Sequence, residues 1–391
     1  MGIKNLTKFI REKTDGKALQ KYKLSRFSGM KVAVDTSSLI YQVGIAIRGT
    51  GTELTNEEGV STAAMMGVFY KAIGFLNNNI IPIFVFDGKS HPLKVKTLEK
   101  RRKDKDNAMK KLEDDDINSD DRKKLLSKSF TPTRESVENI KTMLRLMGIP
   151  IIEAPNEADV VCAWLGKTRE GKRKIVKGVC SDDSDMLPLG AEYLFKDMTS
   201  GINKDKEVTV ISLKKTLEIL DVSMKQFVIL CILMGCDYSK NVRGIGPSKA
   251  FDIVKENKKL SDVMDVLENH LYSLHKKNKK KFNKDELNKE LENLEFIKES
   301  YKYFTNSVNE FEISSDKVFD ETNFNLSKCK SEELIDYMCN VHGFDSRKIN
   351  SGIEKIENFY NKLNVEQENK CIYIMTGKPI IRGYSFYKFI D

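Results

Sequence analysis

Three short β-branched runs each end in acid: Met30-Lys31-Val32-Ala33-Val34-Asp35, Ile80-Ile81-Pro82-Ile83-Phe84-Val85-Phe86-Asp87-Gly88, and Val176-Lys177-Gly178-Val179-Cys180-Ser181-Asp182-Asp183-Ser184-Asp185. Compact apolar runs of this kind read as strands of a parallel sheet buried on both faces. Helical patterns at 62–77, 134–147 and 156–167 lie between them. That alternation predicts an α/β fold, a mostly parallel central sheet flanked by helices. In an open parallel sheet the ligand crevice lies at the carboxyl ends of the strands, so Asp35, Asp87, Asp183 and Asp185 are expected to converge there. One Asp at a strand end is an ordinary turn residue; three acid-tipped ends make that reading much weaker.

Further acids are candidates for the same crevice. Ala154-Pro155-Asn156-Glu157-Ala158-Asp159 opens a helix, with Asn156 expected as the N-cap and Glu157 and Asp159 in the first turn. Acids there also suit the helix dipole, and positions two apart do not share a helix face. Gly235-Cys236-Asp237-Tyr238 follows an apolar helix, where Asp237 is either a turn residue or one more acid of the crevice. Converging carboxylates need cations to stay ionised, and all-oxygen clusters suit Mg²⁺ or Mn²⁺. Two such ions about 3.5–4 Å apart suit phosphoryl transfer.

The net charge of +9, from 66 Lys and Arg against 57 Asp and Glu, favours a polyanionic partner, although a lysine-rich solvated surface has the same sign. A basic chain with acidic metal ligands is a nuclease candidate. Seven scattered cysteines without a C-x-x-C pair argue against zinc and a disulfide framework. The longest apolar runs are far shorter than a membrane span, and the N-terminus lacks the apolar core of a signal peptide. A soluble intracellular protein is expected.

Residues 98–129 are helical in pattern, charge-rich and poor in apolar side chains, which predicts a projecting helical insertion or a charged loop. Val242-Arg243-Gly244-Ile245-Gly246-Pro247-Ser248-Lys249 reads as a tight turn into a helix. Its outward N–H groups and Lys249 suit a DNA phosphate. From Ser223 onward the pattern is helical, with helices expected at 224–233, 247–256, 332–338 and 351–363; residues 366–391 alternate without settling.

Taken in order, Met1-Gly2-Ile3, Val32-Ala33-Val34-Asp35, Val85-Phe86-Asp87-Gly88-Lys89, Ala154-Pro155-Asn156-Glu157-Ala158-Asp159, Asp182-Asp183-Ser184-Asp185, Gly235-Cys236-Asp237-Tyr238 and Arg243-Gly244-Ile245-Gly246-Pro247 resemble the flap endonucleases of the XPG-like structure-specific 5′ nucleases. The similarity runs from Met1 to about Ile356, and the short spacer between Asp87 and Glu157 is unlike the very long one of the excision-repair member. The resemblance implies a 5′ flap endonuclease with 5′→3′ exonuclease activity, using two Mg²⁺ with Mn²⁺ as a substitute, in DNA replication and repair. Asp35, Asp87, Glu157 and Asp159 would serve one metal side, and Asp183, Asp185 and Asp237 the other. Asp159 stands where the family usually has Glu. Lys94 and Arg101 match basic residues that approach the scissile phosphate at the base of an arch. Tyr41 matches a base-stacking residue and Arg48 one near the duplex junction. Lys128 would help draw a single strand beneath the arch. Thr62, Phe344 and Lys348 lie in segments resembling a pocket for a one-nucleotide 3′ flap. Gly244, Gly246 and Lys249 would grip the duplex backbone.

The family's helix–two-turn–helix element holds a K⁺ with help from a Ser hydroxyl; Asn241 stands in that place, so the ion is left open. The sliding-clamp peptide survives only as a degenerate Gln367-Glu368-Asn369-Lys370-Cys371-Ile372-Tyr373-Ile374. The resemblance divides the chain into residues 1–97 and 134–260 as the nuclease core, the latter carrying the DNA-binding element, with 98–133 as the arch. Residues 261–363 are a helical part of the core and 364–391 a tail. It also places the protein in the nucleus or at sites of DNA replication. Two alternatives stay open: a gap or bubble endonuclease of the same superfamily, and a non-catalytic DNA-binding scaffold.

Overall fold

The computed structural model describes residues 2–48, 62–112, 117–170, 173–199, 205–277, 282–315 and 324–376. In chain order the first elements are α1 (Leu6–Lys13), β1 (Leu19–Lys23), β2 (Lys31–Asp35), α2 (Thr36–Arg48), α3 (Ala63–Asn77) and β3 (Ile81–Phe86). Next come α4 (Val95–Leu112), α5 (Ser119–Ser129), α6 (Arg134–Leu146), β4 (Ile151–Glu153) and α7 (Ala158–Lys167). A two-stranded antiparallel ribbon follows, β5 (Arg169–Glu170) with β6 (Arg173–Lys174). Then come β7 (Val179–Cys180), β8 (Tyr193–Lys196), β9 (Glu207–Ser212), α8 (Leu213–Leu220), α9 (Met224–Met234), α10 (Pro247–Glu256), α11 (Leu260–Lys277) and α12 (Lys284–Ser315). The chain ends in α13 (Ser331–Ile335), a π-helical turn at Asp336–Val341, and α14 (Ser346–Thr376).

The seven-stranded sheet has the order β1-β9-β8-β7-β2-β3-β4. Strands β8, β7, β2, β3 and β4 run parallel, while β9 and β1 close one edge antiparallel. The acid-tipped runs β2, β3 and β7 are neighbours at its centre. Side chains alternate between faces along a strand, and two cores result. Ala33, Ile83, Val85, Ile152, Val179 and Leu194 pack toward α1, α7, α9 and α12. Val32, Val34, Phe84, Phe86, Cys180 and Phe195 pack toward α2, α3, α6 and α14. Each fully buried side chain of this size, such as Phe84, contributes about 1.5–3 kcal/mol. Covered on both faces, the sheet has only its strand ends left to form a site.

Three expectations change. Asn156 is not the N-cap of α7; Glu157 holds that position, in extended conformation and without a side-chain cap bond. The Asp87 carboxylate caps from the next strand instead, accepting from Ala158 N at 2.7 Å. The third strand is only Val179–Cys180, because the chain turns at once into the acid loop. The last helix continues to Thr376, well past 363, so the backbone of the clamp-like stretch is helical. Residues 377–391 lie outside the described residues. Among the described residues, no helix is long and apolar enough to cross a membrane.

Candidate active site

The acids lie at the carboxyl edge of the sheet. Asp35 is the last residue of β2, and Asp87 follows β3. Asp183 and Asp185 form the 3₁₀ turn after β7, Glu157 and Asp159 start α7, and Asp237 follows α9. Asp35, Glu157, Asp159 and Asp185 are all more than nine-tenths buried. Ordinary turn residues would be solvated.

Each is held by named partners. Asp35 accepts from Ser38 N at 3.1 Å and Ser181 Oγ at 2.8 Å. Asp183 accepts from Asp185 N at 2.9 Å, and its own N–H donates to Ser181 Oγ at 3.0 Å. Glu157 Oε1 accepts from His91 N at 2.9 Å, while its other oxygen pairs with the Lys94 ammonium. Lys94 Nζ also stands 3.7 Å from Asp159 Oδ2. Because Glu157 lies outside the helix proper, the two acids reach one cation despite their spacing. Arg101 Nη2 pairs with Asp237 Oδ2 at 2.6 Å.

The N-terminus closes the floor. Gly2 adopts a left-handed φ of 80°, and a Cβ there would meet Asp183 Oδ1 and, at 2.9 Å, Asp185 Oδ1. Lys4 N donates to the Gly235 carbonyl at 3.1 Å, tying this segment to the loop before Asp237.

Burial is the first cause that raises the acid pKa values. With Asp87 beside it, Asp35 is pushed up to about 7. Asp159 and Asp185 are raised well above the carboxylate range by burial, and Asp183 is raised for the same reason. Burial pushes the Lys94 ammonium down, but Asp159 and Glu157 outweigh it and leave it above its ordinary value. Carboxylates crowded at this cost ionise only when cations join them.

The donor set fits hard divalent ions. Asp185 Oδ1 is buried without a hydrogen-bond partner, as a carboxylate oxygen reserved for a cation would be. Among the described residues no three acids form a finished metal cage; Lys94 and Arg101 supply the positive charge beside Glu157, Asp159 and Asp237.

The remaining sequence-predicted residues divide into three groups. Tyr41, half-buried on α2, meets Phe130 edge-on at 5.9 Å, and Gly44 makes room for that ring. Arg48 ends α2, and Lys128 is exposed in the last turn of α5. Gly244 takes φ 78°, with His270 Nε2 at 3.0 Å from where a Cβ would stand. Gly246 caps α10 in open space, and Lys249 Nζ lies 3.1 Å from His270 Nδ1. Asn241 turns its amide onto the α9 carbonyl of Met234 at 2.5 Å and its oxygen toward Lys4 Nζ at 3.4 Å, so an ammonium faces the oxygen expected for K⁺. Thr62 is buried just before α3, Phe344 is half-buried, and Lys348 is exposed on α14. The two helices pack where Gly352 meets Phe69.

Sequence reasoning missed three supports. Ser181 bridges Asp35 and Asp183, and its place beside the acid run was the available signal. Thr97 Oγ1 donates to the Asp237 carbonyl at 2.6 Å; it lies three residues after Lys94 and four before Arg101, on one helix face. Gln42 Nε2 donates to Asp182 Oδ2 at 2.6 Å, joining α2 to the acid turn, and nothing in the sequence marked it.

Family models for the XPG N-terminal domain and the XPG I-region match residues 1–108 and 148–237. Flap endonuclease 1 of Komagataella phaffii is 35% identical over 360 residues, spanning 91% of this chain and 89% of that protein. The chain belongs to the flap endonuclease family. Flap endonuclease 1 of Enterocytozoon bieneusi is 33% identical over 91% of the chain and 95% of its own length. Among solved structures, the flap endonuclease-1 from Methanococcus jannaschii is 27% identical with a TM-score of 0.60, over 88% of this chain and 97% of that one. The catalytic core of Rad2 in complex with a DNA substrate shares the fold at 22% identity, with a TM-score of 0.59 over 91% of this chain and 99% of its own. Flap endonucleases are metal-dependent, structure-specific 5′ nucleases of DNA replication and repair, and this chain is such a DNA-hydrolysing enzyme. Of the seven acids, Asp35, Glu157, Asp159 and Asp185 are buried, Asp183 and Asp237 half-buried, and Asp87 exposed.

Proposed function

We propose that this flap endonuclease cuts 5′ flaps at their base through the acid cluster at the sheet edge, and trims 5′ ends at nicks and gaps in the same centre. The observation that carries this reading is the meeting of acids from β2, β3, α7, the β7 turn and the α9 loop with Lys94 and Arg101 from the base of α4. Asp35, Asp87, Glu157 and Asp159 would hold one Mg²⁺ and Asp183, Asp185 and Asp237 a second, with Mn²⁺ as a substitute. When bound, such ions polarise the phosphodiester and the attacking water. Water displaces the 3′ oxygen from phosphorus, leaving a 5′-phosphate on one product and a 3′-hydroxyl on the other.

The protein's own groups do the rest. Lys94 and Arg101 release their carboxylates toward the phosphate and offset its developing charge. Tyr41, at the edge of Phe130, offers a ring to the base beside the cut, and Arg48 stands near the duplex junction. The Gly244–Gly246 turn and Lys249 hold duplex backbone without reading sequence. Thr62, Phe344 and Lys348 would receive a single 3′ nucleotide. Residues 98–133 act as the arch, Lys128 drawing the strand beneath it. They divide the core into 1–97 and 134–260, with 261–363 as its helical extension and 364–391 as a tail. With only a degenerate clamp motif left, binding to a sliding clamp would be weak, relocated or absent, and the working place would be the nucleus or a site of DNA replication. Cleavage of flap, nick, gap, bubble and single-strand substrates with Mg²⁺ tests the reading. Flaps should be cut fastest; a preference for bubbles would favour the bubble-cutting branch, and no metal-dependent cutting would favour a scaffold.

A further inference from the structure

The base of α4 rests on α12, which lies beyond the segments matched by both family models. Lys96 Nζ stands 3.9 Å from the centre of the Phe296 ring. Lys94 Nζ stands 5.4 Å from the centre of Tyr238. Tyr238 in turn lies 4.4 Å from Tyr303, which lies 4.8 Å from His91. Phe296 and Tyr303 are two helical turns apart and share a face of α12. Phe304 backs the cluster, edge-on to Tyr238 at 5.4 Å. Tyr303 thus touches His91, whose N–H holds Glu157 Oε1, and backs Tyr238, whose ring faces the Lys94 ammonium on the other Glu157 oxygen.

We propose that Tyr303 is a positioning residue for cleavage: its ring, wedged between Tyr238 and His91, sets where the Lys94 ammonium stands beside Glu157 and Asp159. A lysine side chain has four rotatable bonds and no preferred end point of its own. A ring face attracts its ammonium, but Tyr238 follows Asp237 in a loop and needs a rigid backing. A 32-residue helix supplies it. Misplacing a charge by an ångström at a reacting centre is enough to slow chemistry without weakening substrate binding. The inference rests on Lys94 acting at the scissile phosphate. The alternative for Tyr303 is a plain anchor of α12 in the core.

A double-mutant cycle in the full chain separates the two. Single-turnover flap cleavage with Mg²⁺ gives the rate, and fluorescence anisotropy with Ca²⁺ gives binding. Tyr303→Leu fills the space but removes the ring, and its rate should fall about tenfold with binding nearly unchanged. Tyr303→Phe should retain at least about half of the rate, since the ring face is kept. On a Lys94→Ala background, Tyr303→Leu should cost less than about twofold more, because both act through one group. An undiminished rate in Tyr303→Leu, or the full loss repeated on Lys94→Ala, overturns the proposal and leaves a core anchor. Near-normal cleavage by Lys94→Ala alone removes the role of Lys94 and this inference with it. If melting shows Tyr303→Leu unfolded, Tyr303→Met takes its place. It removes the ring with a side chain flexible enough to fill the gap, and a loss additive with Lys94→Ala overturns the proposal equally.

Discussion

Arg101 Nη2 stands 2.6 Å from Asp237 Oδ2, so the base of α4 and the acid loop after α9 form one ion pair. Thr97 Oγ1 seals the same contact on the Asp237 carbonyl. Half-exposed pairs of this kind contribute less than about 1 kcal/mol to stability. Arg101→Ala should therefore barely move the melting temperature. On the proposed role of Arg101 at the scissile phosphate, its cleavage rate should fall about 10²-fold. Melting curves beside single-turnover rates check this, and a parallel loss of stability would make Arg101 a structural clamp.

Gly88 is a second tight point of the crevice, beside Gly2. Its N–H donates to the Asn156 carbonyl at 2.7 Å, and a Cβ would collide with the Ala154 carbonyl and stand 2.7 Å from that of Pro155. Backbone cannot step aside as a side chain can, so Gly88→Ala should destabilise by about 1–3 kcal/mol. It would also pull Asp87 from Ala158 N, so cleavage should drop even where the protein stays folded. Denaturant midpoints and rates, measured together, show both effects.

Gly246 and Gly244 respond differently. Nothing lies within 4 Å of a Cβ on Gly246, whereas Gly244 has a left-handed φ and His270 close by. Gly246→Ala should then be nearly silent, and Gly246→Asp should act by charge alone. Duplex binding by Gly246→Asp should weaken equally for all sequences, and the slope of log affinity against log salt should flatten by about one unit. Fluorescence anisotropy across a salt series measures it. An equal loss in Gly246→Ala would mean that the turn is merely structural.

The acids were legible because strand ends in a parallel sheet are a fixed address: β2, β3 and β7 are adjacent, and Asp35, Asp87, Asp183 and Asp185 follow from that. The grip on each acid was not legible. Asp87 caps a helix whose first residue is 71 positions further along the chain, Ser181 and His91 act by contacts that no periodicity marks, and Thr97 shares a helix face with Lys94 and Arg101 but reaches Asp237 only through the fold. The helical character of 261–363 was expected, but the docking of α12 was not, because a long helix with mixed faces resembles any solvated helix until its Phe296 meets Lys96 and its Tyr303 meets His91 and Tyr238. Strands β1, β8 and β9 escaped for a related reason: their pattern is set by pairing with each other, Leu19 with Ile211 and Leu194 with Ile211, across the edge of the sheet.

The helices α4 and α5 pack on each other, with α5 also against α2 and the base of α4 on α12; of α4, only Ala108 is buried. Standing between Asp87 and Glu157 in the chain, they would let a free single strand pass beneath and exclude a duplex. A bulky protein fixed to the flap's 5′ end before mixing should therefore block cleavage, and the same cap added after the complex has formed should not. Gel-resolved cleavage of the two preparations decides between threading and side entry; equal cutting of both would shift the preferred substrate toward bubbles.

The claim on which the rest depends is that the buried acids are the hydrolytic centre. Asp185 tests it best, because its Oδ1 is buried without a hydrogen-bond partner. Single-turnover flap cleavage by Asp185→Ala at saturating Mg²⁺, with binding followed in parallel, is the direct measurement. The rate should fall by at least about 10²-fold while flap binding persists or tightens, since a negative charge near phosphate has gone. Near-wild-type turnover by the folded variant would contradict the account.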